Sequence, residues 1–162
     1  MRDAESFDDF YRGTSVRLMR YGTALVGDPV EAQDLVQEGY ARAWWRWAEV
    51  SRHPNPEGWL RVTVGRLAVD RYRRLRRWRQ FASRSGPPPP IAAPNEALVH
   101  VVTALRRLPI EQRQALAMYY LFDLPVSEIS AETGAPVGTV KSWLARGRAG
   151  LAAVLATGEV EA

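Results

Sequence analysis

Residues 124–148, Leu-Pro-Val-Ser-Glu-Ile-Ser-Ala-Glu-Thr-Gly-Ala-Pro-Val-Gly-Thr-Val-Lys-Ser-Trp-Leu-Ala-Arg-Gly-Arg, carry the pattern of a helix-turn-helix. Val126 and Ile129 share one side of a short helix, and Gly134 supplies a tight turn. A second helix, starting near Pro136 or Val137, brings Val140, Leu144 and Leu151 inward at helical spacing. Thr139, Lys141, Ser142, Ala145, Arg146 and Arg148 are left facing outward. Short hydroxyls followed by cations suit a helix that approaches base edges and holds phosphates in a major groove. An ordinary helical hairpin with a solvated polar face is the alternative.

The composition permits a folded core: of 162 residues, 46% are apolar and 25% charged. The absence of cysteine excludes a disulfide scaffold, a zinc finger of the cysteine type and a thiol nucleophile. No apolar run is long enough to span a bilayer, and Met-Arg-Asp-Ala-Glu-Ser-Phe lacks the apolar core of a secretory signal. No membrane insertion is therefore expected, and a cytoplasmic location is. Glycine and proline fall between periodic segments and no strand-like alternation persists, which predicts an all-α fold.

Charge is distributed unevenly. Residues 61–84 hold nine arginines against one acid, Asp70; that net +8 leaves −4 for the rest of a chain whose total is +4. Like charges packed so densely repel within a helix unless something neutralises them, so this segment points to a polyanion. A solvated helix end, an acidic protein or a membrane surface are the competing readings.

Five prolines within residues 82–95 forbid a helix there and predict an extended linker. At about 3.1 Å per residue it would reach roughly 40 Å. With compact flanking domains, their centres could lie roughly 70 Å apart, about two turns of B-DNA. The expected division is a first domain at 1–81, the linker at 82–95, a second domain at 96–156 and a tail at 157–162.

In the first domain, Phe7, Phe10, Tyr11, Thr14, Leu18, Tyr21 and Leu25 form a helical stripe ending at Gly27. Asp28-Pro29-Val30-Glu31 reads as a capped helix start. The helix it opens should run to about Trp47, burying Leu35, Val36, Ala43, Trp44 and Trp47 while Asp34, Gln37, Glu38 and Trp45 face elsewhere. After a loop at 48–56, Asn55 can cap a third helix from Pro56, buried through Leu60, Val64 and Leu67 before it fades into the arginines. The second domain should open with Asn95 as a cap and the stripe Leu98, Val101, Val102 and Leu105. A break at Leu108-Pro109 and a helix carrying Leu116, Tyr120 and Leu121 then lead into the helix-turn-helix, giving about four helices in all.

These pieces resemble a bacterial RNA polymerase sigma factor of the extracytoplasmic-function (ECF) group within the sigma-70 family, the minimal kind with only a region 2 and a region 4 domain. The matching motifs are Asp34-Leu-Val-Gln-Glu38 with Arg42-Ala-Trp44, then Trp59-Leu60 ahead of Leu67-Ala-Val-Asp70-Arg-Tyr-Arg-Arg, then Leu108-Pro-Ile-Glu-Gln-Arg-Gln-Ala, then Pro136-Val-Gly-Thr-Val-Lys-Ser142. The likeness spans about residues 7–155, with wording around 43–47 and 67–77 closest to an actinobacterial SigE-like subgroup.

The resemblance implies three surfaces. Asp34, Leu35, Val36, Gln37 and Glu38, flanked by Arg42, would dock on the clamp helices of the largest subunit of core RNA polymerase. Arg52, His53, Asn55 and Trp59 would surround the pocket that reads the melted −10 promoter element, with Arg66, Arg73, Arg74, Arg76 and Arg77 along the DNA backbone. Melting is offset by stacking an extruded base on an aromatic or arginine plane while cations hold the strand. Pro136, Gly138, Thr139, Lys141, Ser142, Ala145, Arg146 and Arg148 would read the −35 element. Two positions depart from the family pattern: Arg66 stands where many relatives have asparagine, and Trp143 where many have arginine, so Trp143 is expected to pack rather than touch phosphate. Promoter DNA and core polymerase are the implied partners, and an anti-sigma factor is a third.

Two rivals remain at this stage. A stand-alone helix-turn-helix regulator would explain the DNA-facing residues but leaves Asp34 to Glu38 without a purpose. A metal-dependent nuclease using Asp34 and Glu38 finds little support: His53 and His100 are the only histidines and lie far apart. With no nucleophile and base pairing and no glycine-rich phosphate loop, no catalytic residue, metal or cofactor is expected.

Overall fold

The computed structural model describes residues 3–81 and 96–157, in which eight helices and no strand are found. The chain builds α1 (Ala4–Val26), α2 (Pro29–Trp45), α3 (Trp47–Val50), α4 (Pro56–Phe81), α5 (Glu96–Leu105), α6 (Ile110–Leu121), α7 (Val126–Thr133) and α8 (Val137–Thr157). The proline segment at 82–95, the Asn95 cap and tail residues 158–162 lie outside the described residues.

Local chemistry sets the helix ends. Asp3 accepts from the amides of Glu5 and Ser6 at the start of α1. Asp28 caps α2 through the Val30 amide at 2.9 Å, and Asn55 caps α4 through the Gly58 amide at 3.0 Å. Gly27 and Gly134 close α1 and α7 in the left-handed region, φ 76° and 78°, each donating its amide to the carbonyl four residues back. Glu31, at the capping-box position of α2, meets Arg71 of α4 at 3.1 Å.

The Trp44–Trp47 segment departs from expectation. α2 ends at Trp45, Arg46 breaks the helix at φ −110°, and a one-turn α3 occupies residues placed in the loop. Trp47 is buried as expected, by Phe7 and Phe10 at 5.2 Å between ring centroids and by a bond from its indole N–H to Ser6. Trp44 is only half-buried.

The larger difference concerns the two halves. The linker would allow a long separation, and the halves do not use it here: α5 and α6 pack on α1, and α6 also meets α4. Leu18, Tyr21, Leu25, Val36, Leu60 and Val64 belong to the same buried cluster as Leu105, Leu116, Met118, Ile129 and Val140. α1 is apolar on two sides, one for α2 and one for α6, and a proline linker lets the second half fold back onto the free side. No helix among the described residues is long and apolar enough to cross a membrane.

Candidate nucleic-acid and polymerase interfaces

On α2, Asp34, Gln37, Glu38 and Arg42 are exposed, Glu38 pairing with Arg42 at 2.9 Å and Gln37 donating to the Tyr11 hydroxyl at 3.1 Å. Leu35 and Val36 face the other way and are buried against the core. The motif's contact set therefore divides: Asp34, Gln37, Glu38 and Arg42 are exposed, whereas Val36 is fully buried and Leu35 nearly so at the floor of a groove. Asp34 and Glu38 also line a groove with Arg71, Arg73, Arg74 and Arg77 of α4. That juxtaposition escapes a helix-by-helix reading, because the arginines lie some forty residues away in sequence.

The second site is an open cleft where α2, the 51–55 turn and α4 converge. It is lined by Arg42, Trp45, Arg46, His53, Asn55, Trp59, Thr63 and Arg66, with Glu132 reaching in from α7. His53 Nδ1 accepts the Asn55 amide at 2.9 Å, so the pair forms a rigid rim. The Arg46 guanidinium lies 5.9 Å from the Trp59 ring and pairs with Glu49 at 2.8 Å. Trp59 is half-buried, with one part in the core and one facing the cleft. Trp45, 73% exposed, is a lining residue that the sequence reading left unassigned. Its signal was present: in Trp44-Trp45-Arg46-Trp47 a helical period cannot bury all three rings. Arg52 is exposed near this cleft, and Arg73, Arg74, Arg76 and Arg77 are exposed along the outer end of α4.

The third site is the helix-turn-helix, α7 and α8, packed through Ile129, Val140 and Leu144 onto α6. Pro136, Gly138, Lys141, Ala145 and Arg146 are exposed, and Thr139 and Ser142 are half-exposed beside them. Trp143 packs against the core, as expected. Arg148 is exposed but leans back on α6, donating to the Tyr120 hydroxyl at 2.8 Å with the Tyr119 ring 5.2 Å away. That bond raises its already high pKa and keeps it cationic. Among the described residues no group of three or more His, Cys, Asp or Glu is gathered as a metal site would require.

Residues 2–79 match the family described as Sigma-70 region 2, and residues 99–151 match Sigma-70, region 4. The chain is 32% identical to the ECF RNA polymerase sigma factor SigL of Mycobacterium tuberculosis, over 78% of this chain and 76% of that one. It is 29% identical to the probable RNA polymerase sigma-C factor of Mycobacterium bovis, over 93% and 84%. With the RNA polymerase sigma-E factor of Streptomyces coelicolor it shares 27%, over 100% and 93%. Among solved structures, the sigma factor RpoE of Bartonella quintana, crystallised with the anti-sigma factor NepR, superposes with a TM-score of 0.74 at 21% identity, covering 91% of this chain and 96% of that one.

Proposed function

The chain belongs to the extracytoplasmic-function branch of the sigma-70 family, and from that membership we propose how its surfaces divide the work of directing core RNA polymerase to promoters. Residues 1–81 act as region 2 and residues 96–156 as region 4, joined by the 82–95 linker. The exposed Asp34, Gln37 and Glu38, with Arg42, dock on the polymerase clamp helices. The cleft of His53, Asn55 and Trp59 takes the unstacked −10 strand, its backbone held by Arg52, Arg66, Arg73, Arg74, Arg76 and Arg77. The outer face of α8, from Pro136 to Arg146, reads the −35 major groove, with Arg148 on phosphate. The protein works without catalytic chemistry of its own, in the cytoplasm where its polymerase is.

The observation that carries this reading is the pairing of a helix-turn-helix with a separate aromatic and cationic cleft beside an exposed acidic face. A stand-alone regulator has use for the first of these only. An apolar groove between the halves, lined by Met19, Ala24, Leu98, Val101 and Tyr120 among others, suits an anti-sigma factor, the kind of protein with which the RpoE relative was crystallised. Transcription with purified core polymerase on a library of genomic promoter fragments tests the assignment. Defined start sites that appear only when the chain is added are expected, whereas tight duplex binding with no change in transcription start would favour the stand-alone regulator.

A further inference from the structure

Arg61 lies in the second turn of α4, is 3% exposed, and aims its guanidinium at the other half of the molecule. Its Nε donates to Glu132 Oε2 at 2.9 Å, and a second guanidinium nitrogen meets Glu132 Oε1. The Phe122 ring covers the guanidinium, 4.6 Å from its central carbon, and itself stands edge-on to Tyr21 at 5.5 Å. Both partners of Arg61 come from the helix-turn-helix half. Within its own half, the guanidinium comes up to Gly58 on the wall of the −10 cleft. Glu132 lines that same cleft, opposite Asn55, Trp59 and Arg66.

A carboxylate has the wrong sign for a cleft meant to receive a nucleic-acid strand, and two guanidinium N–H groups on a carboxylate reproduce the fork with which arginine takes a phosphate. We propose that Arg61 is a strand-binding residue of the −10 cleft, and that Glu132 is an internal stand-in for a DNA phosphate that occupies it while the two halves are docked. When the halves part, Arg61 loses its ion pair and its aromatic cover together and gains solvent beside Gly58 and Trp59. The closed chain then binds single strands weakly because its own acid already fills the position. The open chain offers a cation that no surface inspection of the closed form would count. The inference rests on the −10 assignment of the cleft.

The test uses the full chain and a fluorescein-labelled twelve-nucleotide oligo-dT, read by anisotropy at low salt. Glu132→Gln keeps the shape and removes the charge. It should raise affinity for the oligonucleotide about tenfold, the scale of one charge-assisted hydrogen bond. Adding Arg61→Gln to it should return the affinity to the wild-type level or below. Because the chain has no cysteine, Ser51→Cys and Ser127→Cys accept a fluorophore pair that reports the separation of the halves. The pair should read farther apart in Glu132→Gln and closed again in Arg61→Glu/Glu132→Arg, which restores the ion pair without restoring the cation on α4. Wild-type oligonucleotide affinity in Glu132→Gln would overturn the proposal. So would a double variant that binds as tightly as Glu132→Gln, since Arg61 would then be only a strut. Loss of promoter-directed transcription by the wild-type chain would instead count against the parent reading, which the oligonucleotide assay does not measure.

Discussion

Arginine has opposite fates in two regions of this molecule. At the seam between the halves, Arg113 is buried and donates to three main-chain carbonyls, of Leu108, Leu25 and Arg106, each at 2.8 Å. Arg106 reaches across to the Gly27 carbonyl at 2.6 Å, and Arg61 pairs with Glu132. At the outer end of α4, Arg73, Arg74, Arg76, Arg77 and Arg79 are exposed, interleaved with Leu75, Trp78 and Phe81, which are exposed too. At the seam arginine is satisfied by protein acceptors, and at the outer end of α4 it stands in solvent, where we propose that it grips a polyanion. Burial lowers the pKa of Arg113, but from so high a starting value that it remains a cation at neutral pH.

The contrast is broken most severely at Arg113. Replacing it with methionine strands two buried carbonyls and a part-buried one, at about 1–3 kcal/mol for each buried unsatisfied group. We expect a loss of at least about 3 kcal/mol in urea unfolding. Lysine should rescue little of it, because one ammonium cannot span three acceptors held in a guanidinium fork. The matching experiment on the outer helix is Arg73→Ala/Arg76→Ala/Arg77→Ala. Its folding stability should stay within about 0.5 kcal/mol of wild type. Its cost should appear in the salt dependence of promoter binding by the holoenzyme, whose slope should fall by about 2–3 units if each arginine neutralises one phosphate.

How much of this was legible in the sequence follows the same division. Caps at Asp28, Asn55, Gly27 and Gly134 act within a few residues, and each was readable before any coordinates. So was the helix-turn-helix, of whose inward set Ile129, Val140 and Leu144 are buried and Val126 and Leu151 half-buried. The exposed side of α2 followed from helical period, which also turned Leu35 and Val36 inward; it was the resemblance that counted them in the contact set. What escaped depends on distant partners. Arg61 was counted with the polyanion-facing arginines because nothing near it in sequence announces Glu132. The docking of the halves was hidden because a proline linker sets a maximum reach without setting the distance adopted. The break at Arg46 was missed because the tryptophan spacing fits a continuous helix until the ring of Trp47 must meet Phe7 and Phe10.

A finer comparison sets two cations of α8 against each other. Lys141 is exposed on the outer side of α8, whereas Arg148 is tied to Tyr120. Lys141→Ala should relax preference at one or two base pairs by roughly 1–3 kcal/mol of discrimination. Arg148→Ala should weaken all duplexes alike. Selection of −35 sequences from a randomised pool separates the two outcomes, and indistinguishable specificity changes would contradict the assignment.

The smallest effect lies in the tyrosines of the core. Burial pushes the Tyr40 hydroxyl up to about 12, with its bond to Thr14 pulling the other way, and raises that of Tyr21 as well. A raised native pKa means the protonated form is favoured by folding. The associated stability is therefore complete below pH 10, the ordinary tyrosine value, and is lost as pH rises toward 12. Urea midpoints should be insensitive to these groups up to pH 9 and decline above pH 10. Tyr40→Phe should cost about 1 kcal/mol at neutral pH through the lost Thr14 bond and make the alkaline decline shallower.

Run-off transcription with core RNA polymerase, comparing the wild-type chain with Asp34→Lys/Glu38→Lys, bears most directly on the claim that the acidic face of α2 joins two DNA-reading surfaces to the polymerase. The account predicts discrete promoter-dependent transcripts with the wild type and at least a tenfold loss with the reversed pair, although that variant leaves α7 and α8 untouched. Equal transcript yields from the two chains would contradict it.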